Sequence, residues 1–402
     1  MLESRDVLLC GLAFTSRTET VEDYLKDKVS SLTVIALSSC FLKENLSACR
    51  IYEKGVLKKE FKVANFRIKD YQWYRQPLVL LVFVFNWFSI VSTVLKLRKK
   101  FHLCIGISHS FAFAGLVLKK MKRVQKLLYY CIDYYIPQQK LNFNSLFVKS
   151  INVIERVIVR NADFVWDLSE KIQEYRERLG RVRKGTYKST VVPLGYSRKM
   201  RKSVPFEEIN RWDIGFVGTV SANHGLEILV EAMPGILKTF PQACVKIIGQ
   251  GPFLAELREL VRRKGLEPYF TFFGFIKEED KMLDILSRCA VALALYTTRG
   301  NENIVCADTG KPKLYAFIGL PMVVTACYPQ SSQIERSGVG IVINDEPVKM
   351  GAELTHALSR LLGSDEALRA FKKNAFEFGN SFVSDAAFDK GFSELTEKIN
   401  GV

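Results

Sequence analysis

Residues 305–325 read VCADTGKPKLYAFIGLPMVVT, and the way this run divides decides the fold. Just upstream, 290–296 (AVALALY) is an apolar run of the length of one buried strand. A polar loop follows and closes on Asp308-Thr309-Gly310. Lys311 then opens a helix. Pro312 suits its first turn, and Leu314, Phe317 and Ile318 share one face. Gly319 ends the helix, and Pro321 leads into a second apolar strand at 322–325. A loop and a helix start therefore stand at the carboxyl end of a buried strand, where open α/β sheets bind ligands. Unpaired amides and the helix dipole favour an anion there, and Lys311 and Lys313 add charge. The plainer reading is a surface loop with two solvated lysines. The coincidence of glycine, lysine and helix start favours the anion site.

The same alternation extends through the second half. A strand at 213–218 (DIGFVG) opens a loop through Gly218-Thr219 and Asn223-His224-Gly225, and a helix follows at 226–239. This is a second candidate phosphate cradle. Next come a strand at 243–248, the turn Gly249-Gln250-Gly251-Pro252, and a helix to 264. A strand at 270–273, a helix at 277–287, a strand at 339–343 and helices at 347–362, 364–378 and 384–399 complete the pattern.

The first half is less regular. Strands are expected at 6–11, 32–37, 103–108, 127–135, 162–168 and 191–195, and helices at 111–120 and 146–159. Gly11 allows a close turn after the first strand, Ser169 suits a helix cap, and residues 43–72 show no clear period. The 19 residues 77–95 (PLVLLVFVFNWFSIVSTVL) carry no charge and are long enough to span a membrane. Asn86, Ser89 and Thr93 form a polar stripe at helical spacing, and a span would split one sheet across two compartments. A helix partly buried in its domain and partly dipped into a bilayer surface fits better. His109 follows a strand end directly and enters a helix, a position from which it can face a ligand. Asp133 sits among aromatic residues near a strand end and needs a partner, either as a structural acceptor or as a contact to an acceptor substrate.

Strand and helix alternate throughout, which predicts an α/β chain with parallel sheets covered by helices on both faces. A length of 402 residues suits two domains. The expected division is 1–196, a linker at 197–211, a second domain at 212–378, and a final segment, 379–402, that returns to the first domain. No signal peptide is visible in the first residues. The nine cysteines are odd in number and lack any C-x-x-C pair, so neither a disulfide framework nor a metal site is expected. Charge is lopsided. Residues 1–210 hold 37 Lys and Arg against 19 Asp and Glu, whereas 211–402 hold 21 against 23. An anionic partner for the first half alone is implied: nucleic acid or an anionic membrane surface.

Taken together, several pieces resemble the nucleotide-sugar domain of GT-B-fold glycosyltransferases, most closely the retaining group called family 4. They are Val217-Gly218, His224-Gly225-Leu226-Glu227, Ile248-Gly249-Gln250-Gly251-Pro252, Phe273-Gly274-Phe275-Ile276 and Gly310-Lys311-Pro312-Lys313-Leu314-Tyr315 with Gly319-Leu320-Pro321. The first half is similar to that fold's acceptor domain more loosely, through His109 and the segment 130–137. The resemblance implies two Rossmann-like domains facing across a cleft, and transfer of a sugar from a UDP- or GDP-sugar to an acceptor hydroxyl with retention. No metal or cofactor is implied, because cationic side chains and helix starts neutralise the leaving diphosphate.

Carried over residue by residue, Gly218, Thr219, Thr309, Gly310 and Lys311 would meet the phosphates or donor sugar. His224, beside Gly225, would stand where the family commonly has lysine. Gly249 and Gly251 would border the base, His109 would face the donor sugar, and Asp133 would orient the acceptor. The chain departs from the pattern at Thr219, where an arginine is usual, and at Cys306 and Leu314, where two glutamates are usual. Asp308, Lys311 and Lys313 are the candidates to replace them.

The expected setting is the inner face of the cytoplasmic membrane, held peripherally through the basic first half. The expected acceptor is a lipid-linked sugar or a polysaccharide. Two other classes compete: a nucleic-acid-binding protein using the basic half, and an epimerase-like or catalytically inert homologue of the same fold. No recognised nucleic-acid motif accompanies the lysines, which are spread rather than interleaved with stacking aromatics.

Overall fold

The computed structural model describes residues 5–13, 16–38, 45–66, 76–136, 143–183, 185–193, 195–198, 201–298, 304–305 and 309–400. The chain divides into two compact units, one of Met1–Ser197 with Ser384–Val402, the other of Arg198–Val383.

In the first unit the order is β1 (Asp6–Leu12), α1 (Ser16–Lys26), β2 (Ser31–Leu37), β3 (Ala48–Glu53), β4 (Val56–Lys62), α2 (Gln76–Leu97), β5 (Phe101–Ile107), α3 (Ser108–Lys120), β6 (Val124–Cys131), α4 (Phe143–Asn161), β7 (Phe164–Asp167), α5 (Glu170–Leu179) and β8 (Ser189–Val191). Its sheet runs β4-β3-β2-β1-β5-β6-β7-β8. The interior strands are nearly continuous apolar runs because helices cover both faces.

Two features depart from the sequence reading. The aperiodic stretch forms β3 and β4, an antiparallel edge hairpin turning at Lys54-Gly55, both with positive φ. Its outer strand is mostly exposed, so the burial that would impose a period is missing. Ser169 precedes α5, but its side chain caps nothing, and its buried Oγ has no hydrogen-bond partner.

The second unit contains β9 (Asn210–Val217), α6 (Leu226–Thr239), β10 (Cys244–Ile248), α7 (Leu254–Arg263), β11 (Phe270–Gly274), α8 (Glu279–Ser287), β12 (Cys289–Ala294), α9 (Gly310–Phe317), β13 (Met322–Thr325), α10 (Ser331–Arg336), β14 (Gly340–Ile343), α11 (Pro347–Leu362) and α12 (Asp365–Phe378). The all-parallel sheet runs β11-β10-β9-β12-β13-β14. In local numbering this is 3-2-1-4-5-6, so the order reverses between β9 and β12 and opens a crevice at their carboxyl ends. The short α10 escaped the sequence reading, being too brief to show a period.

The last helix, α13 (Ser384–Asn400), packs in the first unit. Phe388, Phe392 and Leu395 enter that unit's core, where Phe392 lies 5.6 Å from Tyr24 and 4.7 Å from Trp166.

Candidate active site

The opening motif lies at the reversal point of the second sheet. Residues beyond β12 deliver Tyr296 and Thr297, β9 delivers the loop from Gly218, and α9 delivers Lys311. Tyr315 fastens these parts together. Its hydroxyl accepts from the Val217 amide at 3.3 Å and donates to the Leu293 carbonyl at 3.1 Å. The Thr297 amide donates to the Asn223 carbonyl at 3.3 Å, tying the end of β12 to the turn at Ala222–His224.

Glycine is demanded where the loops touch. Gly218 has φ +131°, and a Cβ there would fall 2.6 Å from Lys311 Cε. Gly249 has φ +143°, and its Cβ would overlap the Gly218 carbonyl oxygen. Gly251 lies against the Val220 backbone and Gly225 against Leu295. Thus Gly249 and Gly251 act here as spacers that let the second loop press on the first.

Lys311 Nζ lies 3.3 Å from His224 Nε2 and 3.4 Å from the Tyr296 hydroxyl, over the rings of Tyr296 (4.7 Å) and Phe216 (5.1 Å). The Thr219 carbonyl lies 2.6 Å from His224 Nδ1, and a carbonyl can only accept, so Nδ1 carries the proton. Nε2 is then a lone-pair acceptor for the lysine. Burial, and after it the Lys311 charge, pushes the His224 imidazole down to about 3, so it is neutral at pH 7. Burial also pulls the Lys311 ammonium down to about 7. Ring faces attract a cation by only about 0.5–2 kcal/mol, too little to replace its lost hydration. Among the described residues no carboxylate pairs with Lys311.

Around this cation stand groups suited to an anion. The Leu226 and Glu227 amides that open α6, and the Lys311 amide in the first turn of α9, have no acceptor four residues back. The Thr309 hydroxyl, directly before α9, is buried and has no hydrogen-bond partner. The structure therefore brings together Gly218, Thr219, His224, Gly225, Thr309, Gly310 and Lys311. Lys313 goes elsewhere: it is buried, with its ammonium 5.5 Å above the Phe382 ring. Positions two apart on a helix diverge by about 200°, so Lys311 and Lys313 cannot both line one pocket. Asp308 lies outside the described residues. Among those residues no cluster of His, Cys, Asp or Glu could hold a metal.

Phe216 and Tyr296 escaped the sequence reading as site residues. Both look like core aromatics at strand ends, and only their position beside the crevice distinguishes them. In the amide accounting, the Gly218 N–H is already used, donating to the Ile248 carbonyl at 2.9 Å. Its contribution is space, not a donor.

In the first unit, His109 occupies the first turn of α3, directly after β5, whose sheet neighbours β1 and β6 mark the corresponding reversal of strand order. Ser108 before it has φ +73°, a strained conformation of the kind that clusters at functional sites. His109 is buried between Phe83 and Tyr135, with ring centroids 5.3 and 5.6 Å away, and its Nε2 has no partner. Burial lowers its pKa to about 4, against the opposing pull of Asp133. Asp133 does not lie on a strand: β6 ends at Cys131, and the carboxylate is exposed.

Residues 211–364 match the sequence model of the family described as Glycosyl transferases group 1. No curated protein sequence matches the chain. Among solved structures, sucrose-phosphate synthase from Thermosynechococcus elongatus superposes with TM-score 0.69 at 15% identity, covering 99% of each chain. HepE of Anabaena, solved with UDP-glucose, gives 0.65 at 16% identity over 99% of this chain and all of that one. The pneumococcal O-GlcNAc transferase GtfA, solved with UDP and GlcNAc, is also similar, at 15% identity over 91% of this chain and 70% of that one, with TM-score 0.57. At these identities the superpositions establish the fold. The chain accordingly has the two-domain α/β GT-B fold, and its second unit carries the signature of glycosyl transferases group 1.

Proposed function

We propose that this chain is a glycosyltransferase that moves a sugar from a nucleoside-diphosphate sugar to an acceptor hydroxyl. One observation carries the reading: the Lys311 ammonium, enclosed by rings and an imidazole, with no carboxylate partner among the described residues, at the start of α9. An anion bound there regains the favourable charge interaction that burial removed. A pyrophosphate also uses the α6 and α9 amides and the Thr309 hydroxyl. UDP-sugars are the first donors to test, since the HepE neighbour was solved with UDP-glucose.

In the reaction the bond from the anomeric carbon to the diphosphate oxygen breaks, and its electron pair stays with the diphosphate. Lys311 and the helix amides stabilise that charge as it develops. The acceptor oxygen takes the anomeric carbon. In this proposal the leaving phosphate oxygen receives the acceptor proton, with departure and attack on one face, the retaining course that the resemblance to family 4 implies. His109, neutral and with Nε2 unpartnered, is the first unit's candidate polar contact, and Asp133 is accessible to an acceptor. A lipid-linked sugar or a polysaccharide is the proposed acceptor class.

A thermal-shift screen of UDP-, GDP- and ADP-sugars tests donor binding, since a ligand of the native state raises its stability. Release of nucleoside diphosphate only when an acceptor is present then separates transfer from epimerisation or inert binding. A donor-induced shift that survives Lys311→Ala would place the donor elsewhere.

A further inference from the structure

Helix α2 is apolar on both sides. Its inner face buries Val82, Ile90 and Val94 together with the polar stripe Asn86, Ser89 and Thr93, and the buried Asn86 Oδ1 has no hydrogen-bond partner. Its apolar residues Leu81, Val84, Phe85 and Phe88 point outward, with Phe88 71% exposed. Their spacing of i, i+3, i+4 and i+7 makes one continuous stripe. Phe66 stacks on Phe85 at 4.8 Å and is itself part-exposed, extending the surface. Helix α4 lies alongside, with Phe83 6.3 Å from Phe147, and adds exposed Leu146, Val153 and Val157. A helix facing water turns its polar side out; this one buries its few polar side chains and leaves an apolar stripe outside, a surface suited to an apolar medium or partner.

The neighbouring charge identifies which. No Asp or Glu occurs from Tyr71 to Ile132, while ten Lys and Arg do. Helices α2, α3 and α4 precede the parallel strands β5, β6 and β7, so their carboxyl ends gather at one end of the sheet, beside the amino ends of those strands. Lys96, Arg98, Lys100, Lys120, Lys122, Arg123 and Arg160 collect there, and none makes an ion pair among the described residues. Phe88 and Lys96 are eight residues apart, about 12 Å along a helix, which spans acyl boundary and headgroups. No helix among the described residues is long and apolar enough to cross a membrane.

We propose that the α2–α4 face of the first unit docks on an anionic lipid bilayer, its apolar stripe entering the acyl boundary and its basic edge meeting the headgroups. The test is co-sedimentation of the full chain with vesicles of phosphatidylcholine alone or mixed with phosphatidylglycerol. Binding to mixed vesicles is expected to be at least about tenfold tighter, and Leu81→Ser/Phe85→Ser/Phe88→Ser to weaken it by at least about tenfold. Replacing Lys96, Arg98 and Lys100 with Gln should cost about fivefold per charge. Because the three apolar positions are exposed, the melting midpoint should hold. If the triple variant fails to fold, Phe88→Asp alone carries the same comparison. Failure to pellet with mixed vesicles overturns the proposal, as does wild-type binding by the apolar variants. A dimer that the triple variant dissociates, without vesicle binding, assigns the face to a second copy instead. None of these readouts depends on donor binding.

Discussion

Arg176 in the first unit and Lys311 in the second are both enclosed cations, held in opposite ways. Arg176 donates to Asp167 at 2.9 and 2.5 Å and to Glu155 at 3.0 Å. Burial alone would lower its pKa, but Asp167 and Glu155 outweigh burial and hold it well above the ordinary value. Lys311 has rings and an imidazole instead, and falls to about 7. The paired cation belongs to the architecture, joining α4, α5 and β7. The other, which has no carboxylate partner among the described residues, is costly to bury, and the proposed anionic donor would offset that cost.

The sharpest way to break this contrast is to remove each cation. Arg176→Met leaves two buried carboxylates facing each other and should cost about 3–5 kcal/mol in denaturant unfolding. Lys311→Met should do the reverse. The apo protein should melt higher, by about 2–4 °C for each kcal/mol gained in a domain of this size, while UDP-sugar binding is lost. If Lys311→Met lowers the melting midpoint, the lysine is structural after all.

Glycine spacing comes next. Gly249→Ala forces a Cβ onto the Gly218 carbonyl at a φ that L residues avoid. It should cost about 1–3 kcal/mol and move the loop beneath Lys311, so calorimetry should find weaker donor binding as well as lower stability.

The pH profile sharpens the reading further. A group lowered to about 7 in the free protein is charged below that pH and loses its charge above it. A sugar-nucleotide pyrophosphate keeps its charge throughout, so donor affinity should be level below pH 7. It should then fall by up to about tenfold per unit above it. Titration calorimetry across this range checks the slope, and a flat profile would assign the contact to a fully charged residue. The smallest effect concerns a cap that is absent. Ser169→Ala should change stability by less than about 0.5 kcal/mol, not the roughly 1 kcal/mol of a working N-cap.

Much of the second unit was readable because its inner strands are buried on both faces and glycines mark the ends of β9, β10 and β11. Lys311, His224 and Gly218 were recognisable as a set for the same reason. Lys311 and Lys313 read alike in sequence, and only the packing sets them apart, with Lys313 over the Phe382 ring. Tyr296 and Phe216 carried no signal, since an aromatic at a strand end looks the same in a core and at a crevice. In the first unit, the hairpin β3–β4 hid because an exposed edge imposes no burial pattern, and Asp133 was placed on a strand that ends two residues earlier.

Sequence alone determined the alternation of elements, the parallel second sheet, the charge asymmetry and the concentration of candidate phosphate-binding groups near 218 and 310. These are local properties, written in periodicity and in residues whose backbone or charge has few other uses. Only the tertiary structure decided which way α2 faces and which of the two lysines meets His224 and Tyr296. Both depend on what packs against a side chain from distant parts of the chain, and burial, the term that sets their energies, is not a property of any single stretch.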